Sequence, residues 1–485
     1  MTMTERPRRA LRLGVSFAAL LWTGSALAAP APEAVPLPPQ ANQTLAHDIF
    51  RDIVEVRSVH DAGTKGVADI LVKYLKANGF TDQEISYVPE AKFPSQVNVV
   101  VRLKGKGEGK PVMWICHMDV VDAKADDWTV PPFKFTEKDG YYYGRGTSDM
   151  KDEDAAAAAS LIRLKQEGFV PDRDIIVAFT ADEEVGQDQD GPAYLLKNAP
   201  KLVDAGLVID PDGGSGEIEN GKRLDFTVET SQKTYVTYTM TVTNKGGHSS
   251  EPRPDNAIYE LAHALVRLSK YQFPFRTNAT TRLYFKAVAA RQSGQTRADM
   301  LTLAASPKVN LKAATRLAED PAMNAVLHST CVATMLNAGV QENALPSRAV
   351  ATIQCRIMPD ETVDGTKAAL EKVIADPAIK VAELGFLTRG PASPPDPQVL
   401  SSVTKVVDAM WPGVPVVPVM AAGASDALFT RDAGIPSYGV GGGWNDIHDI
   451  RMHGRDERMK IGTYYQTVEF TYRLMKELGD APEVN

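Results

Sequence analysis

A chain of 485 residues is long for one folded unit, so two are expected. Its apolar and charged fractions are those of a globular protein, which argues against long intrinsic disorder. A net charge of -8, with no dense Lys/Arg stripe along any predicted helix, argues against nucleic acid as the main partner.

The chain opens with Arg6, Arg8, Arg9 and Arg12, followed by an apolar run over residues 13–22 and the small residues Ser25-Ala26-Leu27-Ala28-Ala29. This reads as a secretory signal peptide. Residues 1–29 are expected to be the signal and residues 30–44, rich in Pro and Ala at their start, a linker. The mature protein is then expected to be periplasmic or secreted. No later apolar run is long enough to span a bilayer, so no membrane association is expected after cleavage.

Apolar runs over residues 97–103, 112–116, 175–179 and 206–209 read as buried strands. Helical patterns lie over residues 64–78, 154–167 and 192–198. The alternation predicts an α/β fold, a mainly parallel sheet sandwiched by helices. Ligands in such sheets sit at the carboxyl ends of strands. His117, the pair Glu183 and Glu184, and the pair Asp210 and Asp212 all fall there. From about Asp225 the texture changes. Residues 235–243 alternate strictly, with Val236, Tyr238, Met240 and Val242 on one face. A helix over 257–268, a mostly helical stretch over 297–336, a second alternating strand over 349–358 and a helix over 363–374 follow. Residues 225–388 are therefore expected to form an α+β domain inserted into the α/β domain, whose parts are 45–224 and 389–485. Cys116, Cys331 and Cys355 are odd in number and give no disulfide framework. Cys116 and Cys355 lie in apolar runs and read as buried free thiols.

The chemistry lies in the acidic and imidazole residues. In His117-Met118-Asp119, residues two apart in an extended segment point the same way, so Asp119 can reach the His117 ring and fix its tautomer, as metal-bound histidines need. Asp149 sits in Gly144-Arg145-Gly146-Thr147-Ser148-Asp149, where two glycines indicate a tight turn. Glu183 and Glu184 follow a strand. So many carboxylates at strand ends would repel one another without cations. His and carboxylate ligands without thiolates suit zinc in an open catalytic site. Two such metals can share a carboxylate and activate a water, leaving one member of the Glu pair as general base.

The series HMDVV, GRGTSDMKD, ADEEVG, NKGGHSSEPRPDNA and RMHGRDER resembles, in order and over nearly the whole mature chain, the dizinc exopeptidase and aminoacylase family. That family includes carboxypeptidase G, succinyl-diaminopimelate desuccinylase, aminoacylases and yeast carboxypeptidase S. The resemblance implies a zinc-exopeptidase-type catalytic domain interrupted by a lid domain. It also implies two Zn2+ ions, with Co2+ or Mn2+ as substitutes. By the resemblance His117, Asp149, Glu184 and His453 are metal ligands. Asp149 would bridge both ions, and a cis peptide would follow it. Asp119 would orient His117, and Glu183 would be the general base. The remaining ligand is open between Asp210, which is favoured, and Asp212. His448 is the rival of His453 and reads as a loop residue near the cleft.

His248, on the inserted domain, would donate to the oxyanion of the tetrahedral intermediate. Arg356, on the polar face of its strand, would grip a substrate carboxylate with two parallel bonds. Asn343 is a weaker substrate-binding candidate, as are Gly423 and Ser425 in a small-residue loop after the strand-like run 414–420. The expected enzyme is an exported zinc-dependent hydrolase cleaving an amide in small peptides or N-acyl amino acids with a free carboxylate. A dizinc aminopeptidase and a catalytically inactive metal-binding relative are the alternatives. The resemblance leaves a homodimer through the lid domain and a monomer both open.

Overall fold

The apolar runs become the middle of one large mixed sheet. In the computed structural model, which describes residues 35–185, 190–385 and 390–482, its four central strands are Ile175–Thr180, Val112–His117, Leu207–Asp210 and Ser437–Gly439, all parallel. Their side chains are buried on both faces, as expected for strands covered by helices on each side. Antiparallel strands extend both margins: Val97–Leu103 and Ile85–Pro89 on one, Lys222–Gln232 and Gly216–Glu219 on the other. The sheet is thus mixed, with an unbroken parallel run at its centre. Val416–Ala421 and Trp444–Asp446 add further parallel pairs to the second margin.

The helix Lys151–Gln166 begins three residues earlier than the pattern suggested. Asp152, Glu153 and Asp154 form its first turn, where the helix dipole favours acids. Its run Ala155–Ala159 is fully buried between helices Gln40–Val54 and Ile461–Gly479, and the small side chains permit that close packing. The expected signal peptide lies outside the described residues. The linker is shorter than expected, because residues 40–44 already form helical turns whose first amides, those of Asn42 and Gln43, donate to the Pro39 carbonyl. Among the described residues no helix is long and apolar enough to cross a membrane.

Residues from Pro36 on form one unit by their contacts, but a second sheet within it has its own core. Its strand order is Thr330–Ala338, Arg348–Ile357, Thr234–Thr243, Lys380–Leu384, all antiparallel. Val236, Tyr238, Met240 and Val242 pack with Ala349, Ala351, Ile353 and Cys355 beneath helices Ala257–Ser269 and Val363–Ile374. The large sheet continues through Gln232, so the change of sheet falls seven or more residues after Asp225.

Two expectations fail in this region. The helical stretch stops at Leu327, and Thr330–Ala338 is a strand instead, because it pairs along Arg348–Ile357. Tertiary pairing outweighs local helix propensity here. In that register Cys331 faces Cys355, and the two form a disulfide. Cys355 is therefore not a free thiol, whereas Cys116 is free and buried. A third cluster, around Phe285, Met300, Leu303 and Leu317, holds the helices between the two strands together.

Candidate metal centre

The candidate ligands converge where the central strands end. The His117 ring has Nε2 3.2 Å from Asp149 Oδ1. The other oxygen of Asp149 lies 2.9 Å from His453 Nε2. One carboxylate thus stands between two imidazoles, the geometry a bridging ligand needs. Three sets of donor atoms lie within 4.8 Å of one another: His117, Asp149 and Asp212; Asp149, Glu184 and His453; and His117, Glu183 and Glu184. The first two sets share Asp149, so the residues fit two adjacent ions. Oxygen and imidazole donors without thiolate suit zinc, among other divalent ions.

Three loops build this arrangement. Asp149 follows the Gly144-Arg145-Gly146 turn. Gly146 has φ +85°, and a Cβ there would come within 2.8 Å of Val120 Cγ1, so the expected tight turn is a steric requirement. The Asp149–Met150 peptide is cis. Asp182, just before the Glu pair, and His453 itself hold left-handed backbone, at φ 69° and 60°. Asp182 is braced by His60 Nδ1 at 2.5 Å and by Gln96 Nε2 at 3.2 Å.

Asp119 is placed differently from the simplest expectation. His117 Nδ1 lies nearest the Asp119 backbone carbonyl, at 3.1 Å, with the carboxylate at 3.7 Å. The carboxylate instead accepts the backbone N–H groups of Glu183 and Glu184, at 3.2 and 3.1 Å. It therefore ties the His117 strand to the Glu-Glu turn. The geometry also separates Asp210 from Asp212. Asp210 accepts from Ser425 Oγ at 2.8 Å and from the amides of Ala427 and Asp212 at 3.0 and 3.1 Å, so its oxygens are committed to fixing the loop. The sequence reading favours Asp210, but of the two it is Asp212 that lies in a donor set. His448 pairs with Glu219, at 3.4 Å, outside the cluster.

The electrostatics reflect crowded acids. Burial pushes Glu183 and Asp212 well above the usual carboxylate range; His117 opposes this in both, and neighbouring acids reinforce it. His453 is raised to about 10 by its bonds to Asp149 and Glu184. Acids that strain toward neutrality while imidazoles hold protons are what a site built for cations shows in protein groups alone.

Other candidates are spread around this centre. His248 lies in the short strand Gly247–His248, paired with Ala344–Leu345, and its Nδ1 accepts from Ser250 N at 3.2 Å. Asn343 joins the same ribbon, its carbonyl accepting from Ser249 N. The Arg356 guanidinium lies 4.6 Å over the Tyr235 ring, and its Nη1 is buried without a partner among the described residues. Ser425 lines a cavity of about 300 Å3 that also reaches Glu183, Glu184 and Tyr235. Gly423 is exposed on the loop before it.

Two residues with a clear part in the site carried no role in the sequence reading. Arg145 Nη1 donates to Glu457 Oε2 at 2.6 Å, and Nη2 to the Gly454 carbonyl at 3.1 Å. Glu457 Oε1 in turn accepts Ser148 N at 2.8 Å. This buried pair joins the Asp149 loop to the His453 loop. Both residues stood inside quoted motifs, but nothing in local sequence indicates that they meet.

A profile of peptidase family M20/M25/M40 matches residues 113–477, a span that includes every donor just described. The chain belongs to that family. Its M20 membership agrees with the resemblance read from the motifs, and the protein is a metal-dependent hydrolase. Among the relatives, N-fatty-acyl-amino acid synthase/hydrolase PM20D1.1 of Danio rerio is 29% identical over 378 residues, covering 76% of this chain and 72% of that protein. A probable carboxypeptidase S-like 2 of Dictyostelium discoideum is 29% identical over 404 residues, covering 78% and 74%. The M20 metallo-carboxypeptidase Sso-CP2 of Sulfolobus solfataricus shares the fold, with a TM-score of 0.67 at 18% identity over 90% of this chain and 99% of that one.

Proposed function

We propose that this M20 hydrolase is an exported dizinc enzyme that cleaves the amide of a small peptide or an N-acyl amino acid carrying a free carboxylate. The observation that carries the reading is the Asp149 carboxylate held between His117 and His453, with Glu183 in a donor set with His117 and Glu184. His117, Asp149 and Asp212 would hold one ion, and Asp149, Glu184 and His453 the other. Bound zinc supplies Lewis acidity and a water of lowered pKa.

The protein's own groups do the rest. Glu183 belongs to a donor set with His117 and Glu184 and lines the cavity, so its carboxylate is available to take the proton of the attacking water. It then hands that proton to the leaving nitrogen. Asp119 keeps the Glu183 and Glu184 amides in register with His117. His248, on the second sheet's ribbon, is the proposed oxyanion donor, and Arg356 the proposed grip on the carboxylate. The relatives named for N-fatty-acyl-amino acid and carboxypeptidase chemistry support an acylated amino acid or peptide as substrate.

Export is part of the proposal. The Cys331–Cys355 disulfide supports an oxidising location. So does the signal-like start of the chain. The test is a panel of dipeptides and N-acyl amino acids with the zinc- or cobalt-loaded protein. Hydrolysis of blocked peptides with free carboxyl termini is the expected result. Cleavage only of substrates with free amino termini would favour an aminopeptidase, and no cleavage at all would refute the enzyme reading.

A further inference from the structure

The cavity of about 300 Å3 beside Glu183 has a composition that the hydrolytic chemistry does not require. Its walls include Val185, Tyr235, Leu428 and Phe429, and Asp190 and Asp426 also line it. Both aspartates are buried, at 1% and 3% exposure. Burial lifts both carboxyl groups above the usual carboxylate range, Asp426 to about 7. Thr180 Oγ1 donates to Asp426 Oδ2 at 3.1 Å, yet Oδ1 of each aspartate is buried with no partner among the described residues. Asp190 stands at the N-cap of helix Gly191–Asn198, where an aspartate commonly caps, but its side chain makes no cap bond. Lys233, the cation in the lining, is directed elsewhere and donates to the His328 carbonyl at 2.7 Å.

Two orphaned acceptors at an acid pair, reached along apolar walls, are complementary to an aliphatic stem ending in a cation. Resting on the hydrolase reading above, we propose that this cavity receives the side chain of a lysine or arginine flanking the cleaved amide, with its ammonium or guanidinium donating to Asp190 and Asp426. An apolar side chain would leave both acceptors buried and unmet. An anionic one would face Asp190, Asp426, Glu183 and Glu184 together. The volume lies at the lower end of small-molecule sites, roughly 300–1,000 Å3, and suits one side chain rather than a long acyl chain.

The experiment uses the full zinc-loaded protein with dipeptides and N-acetyl amino acids bearing Lys, Arg, norleucine, Leu or Glu on either side of the amide. On one side, Lys and Arg are expected to exceed norleucine in kcat/KM by about 100-fold. Asp190→Asn is expected to remove most of that preference while leaving norleucine cleavage within about threefold, which also shows that the variant is folded. Calorimetry of free lysine, arginine and norleucine on Glu183→Ala gives a reading independent of turnover, with only the cationic pair expected to bind. Cleavage of norleucine or leucine substrates as good as that of lysine and arginine would overturn the inference and leave the hydrolase reading intact. No cleavage of any substrate would overturn both.

Discussion

Replacing Arg145 tests how the metal centre is held together. Arg145 is 3% exposed and its partner Glu457 0%. Their contact at 2.6 Å, with the bonds from Arg145 to the Gly454 carbonyl and from Ser148 to Glu457, joins the loops that carry Asp149 and His453. Arg145→Ala leaves the Glu457 carboxylate buried without its cation, and breaking such a pair costs about 3–5 kcal/mol. Glu457 can limit the loss by taking up a proton. Burial already pushes it up to about 7, against the opposing pull of Arg145. The expected loss is therefore near the lower end, about 3 kcal/mol.

The sign of its pH dependence follows. Without Arg145 the folded pKa of Glu457 rises further above its ordinary 4.5, so the folded state binds an extra proton. Stability then falls as pH rises through that window, and the deficit is larger at pH 8 than at pH 6. Loosening the His453 loop should also weaken metal binding by about 10–100-fold. Urea unfolding at both pH values and zinc titration against a chelator measure these quantities. An unchanged urea midpoint, or zinc affinity equal to that of the parent protein, would refute the reasoning.

Further expectations can be checked with single proteins. Glu183→Ala should abolish turnover while both metals stay bound, since it removes the proposed base; loss of a metal on analysis would make Glu183 a ligand instead. His248→Ala should lower kcat by about 100–1,000-fold if it stabilises the oxyanion, with little change in zinc content. The double change Cys331→Ser with Cys355→Ser should cost about 3 kcal/mol, since the disulfide closes a loop with a sequence separation of 24, and reduction of the parent should mimic it. Equal Tm for the two proteins would mean that no such bond forms. Glu90 is 1% exposed and lifted to about 7 chiefly by burial, so stability should fall as pH rises from 4.5 to 7 through this group. Glu90→Gln should remove that fall, gaining at most about 3 kcal/mol at pH 8 and nothing at pH 4.5, by thermal melts at the two values.

Local pattern was enough for the elements that carry their own signal. Buried parallel strands are continuous apolar runs, so the strands ending at His117, Thr180 and Asp210 could be read directly. The alternating strand before Thr243 could be read for the same kind of reason, because one of its faces is wet. The donor residues stood out because acids and imidazoles at strand ends are unusual unless something neutralises them.

What local pattern could not give depended on partners far away in the chain. Thr330–Ala338 is a strand only because Arg348–Ile357 lies beside it, and the same register makes a disulfide of two cysteines that looked unrelated. Asp210 and Asp212 are chemically alike and two residues apart. The contacts of Asp210 with Ser425 and Ala427, more than 200 residues away, commit it to the loop and leave Asp212 in the donor set. The Arg145–Glu457 tie and the meeting of Asp190 and Asp426 at one cavity are of the same kind. The sequence by itself determined which residue types stand at which strand ends, because periodicity and side-chain chemistry are local. Only the tertiary structure decided which carboxylate faces which neighbour, because that depends on distances set by packing between segments hundreds of residues apart.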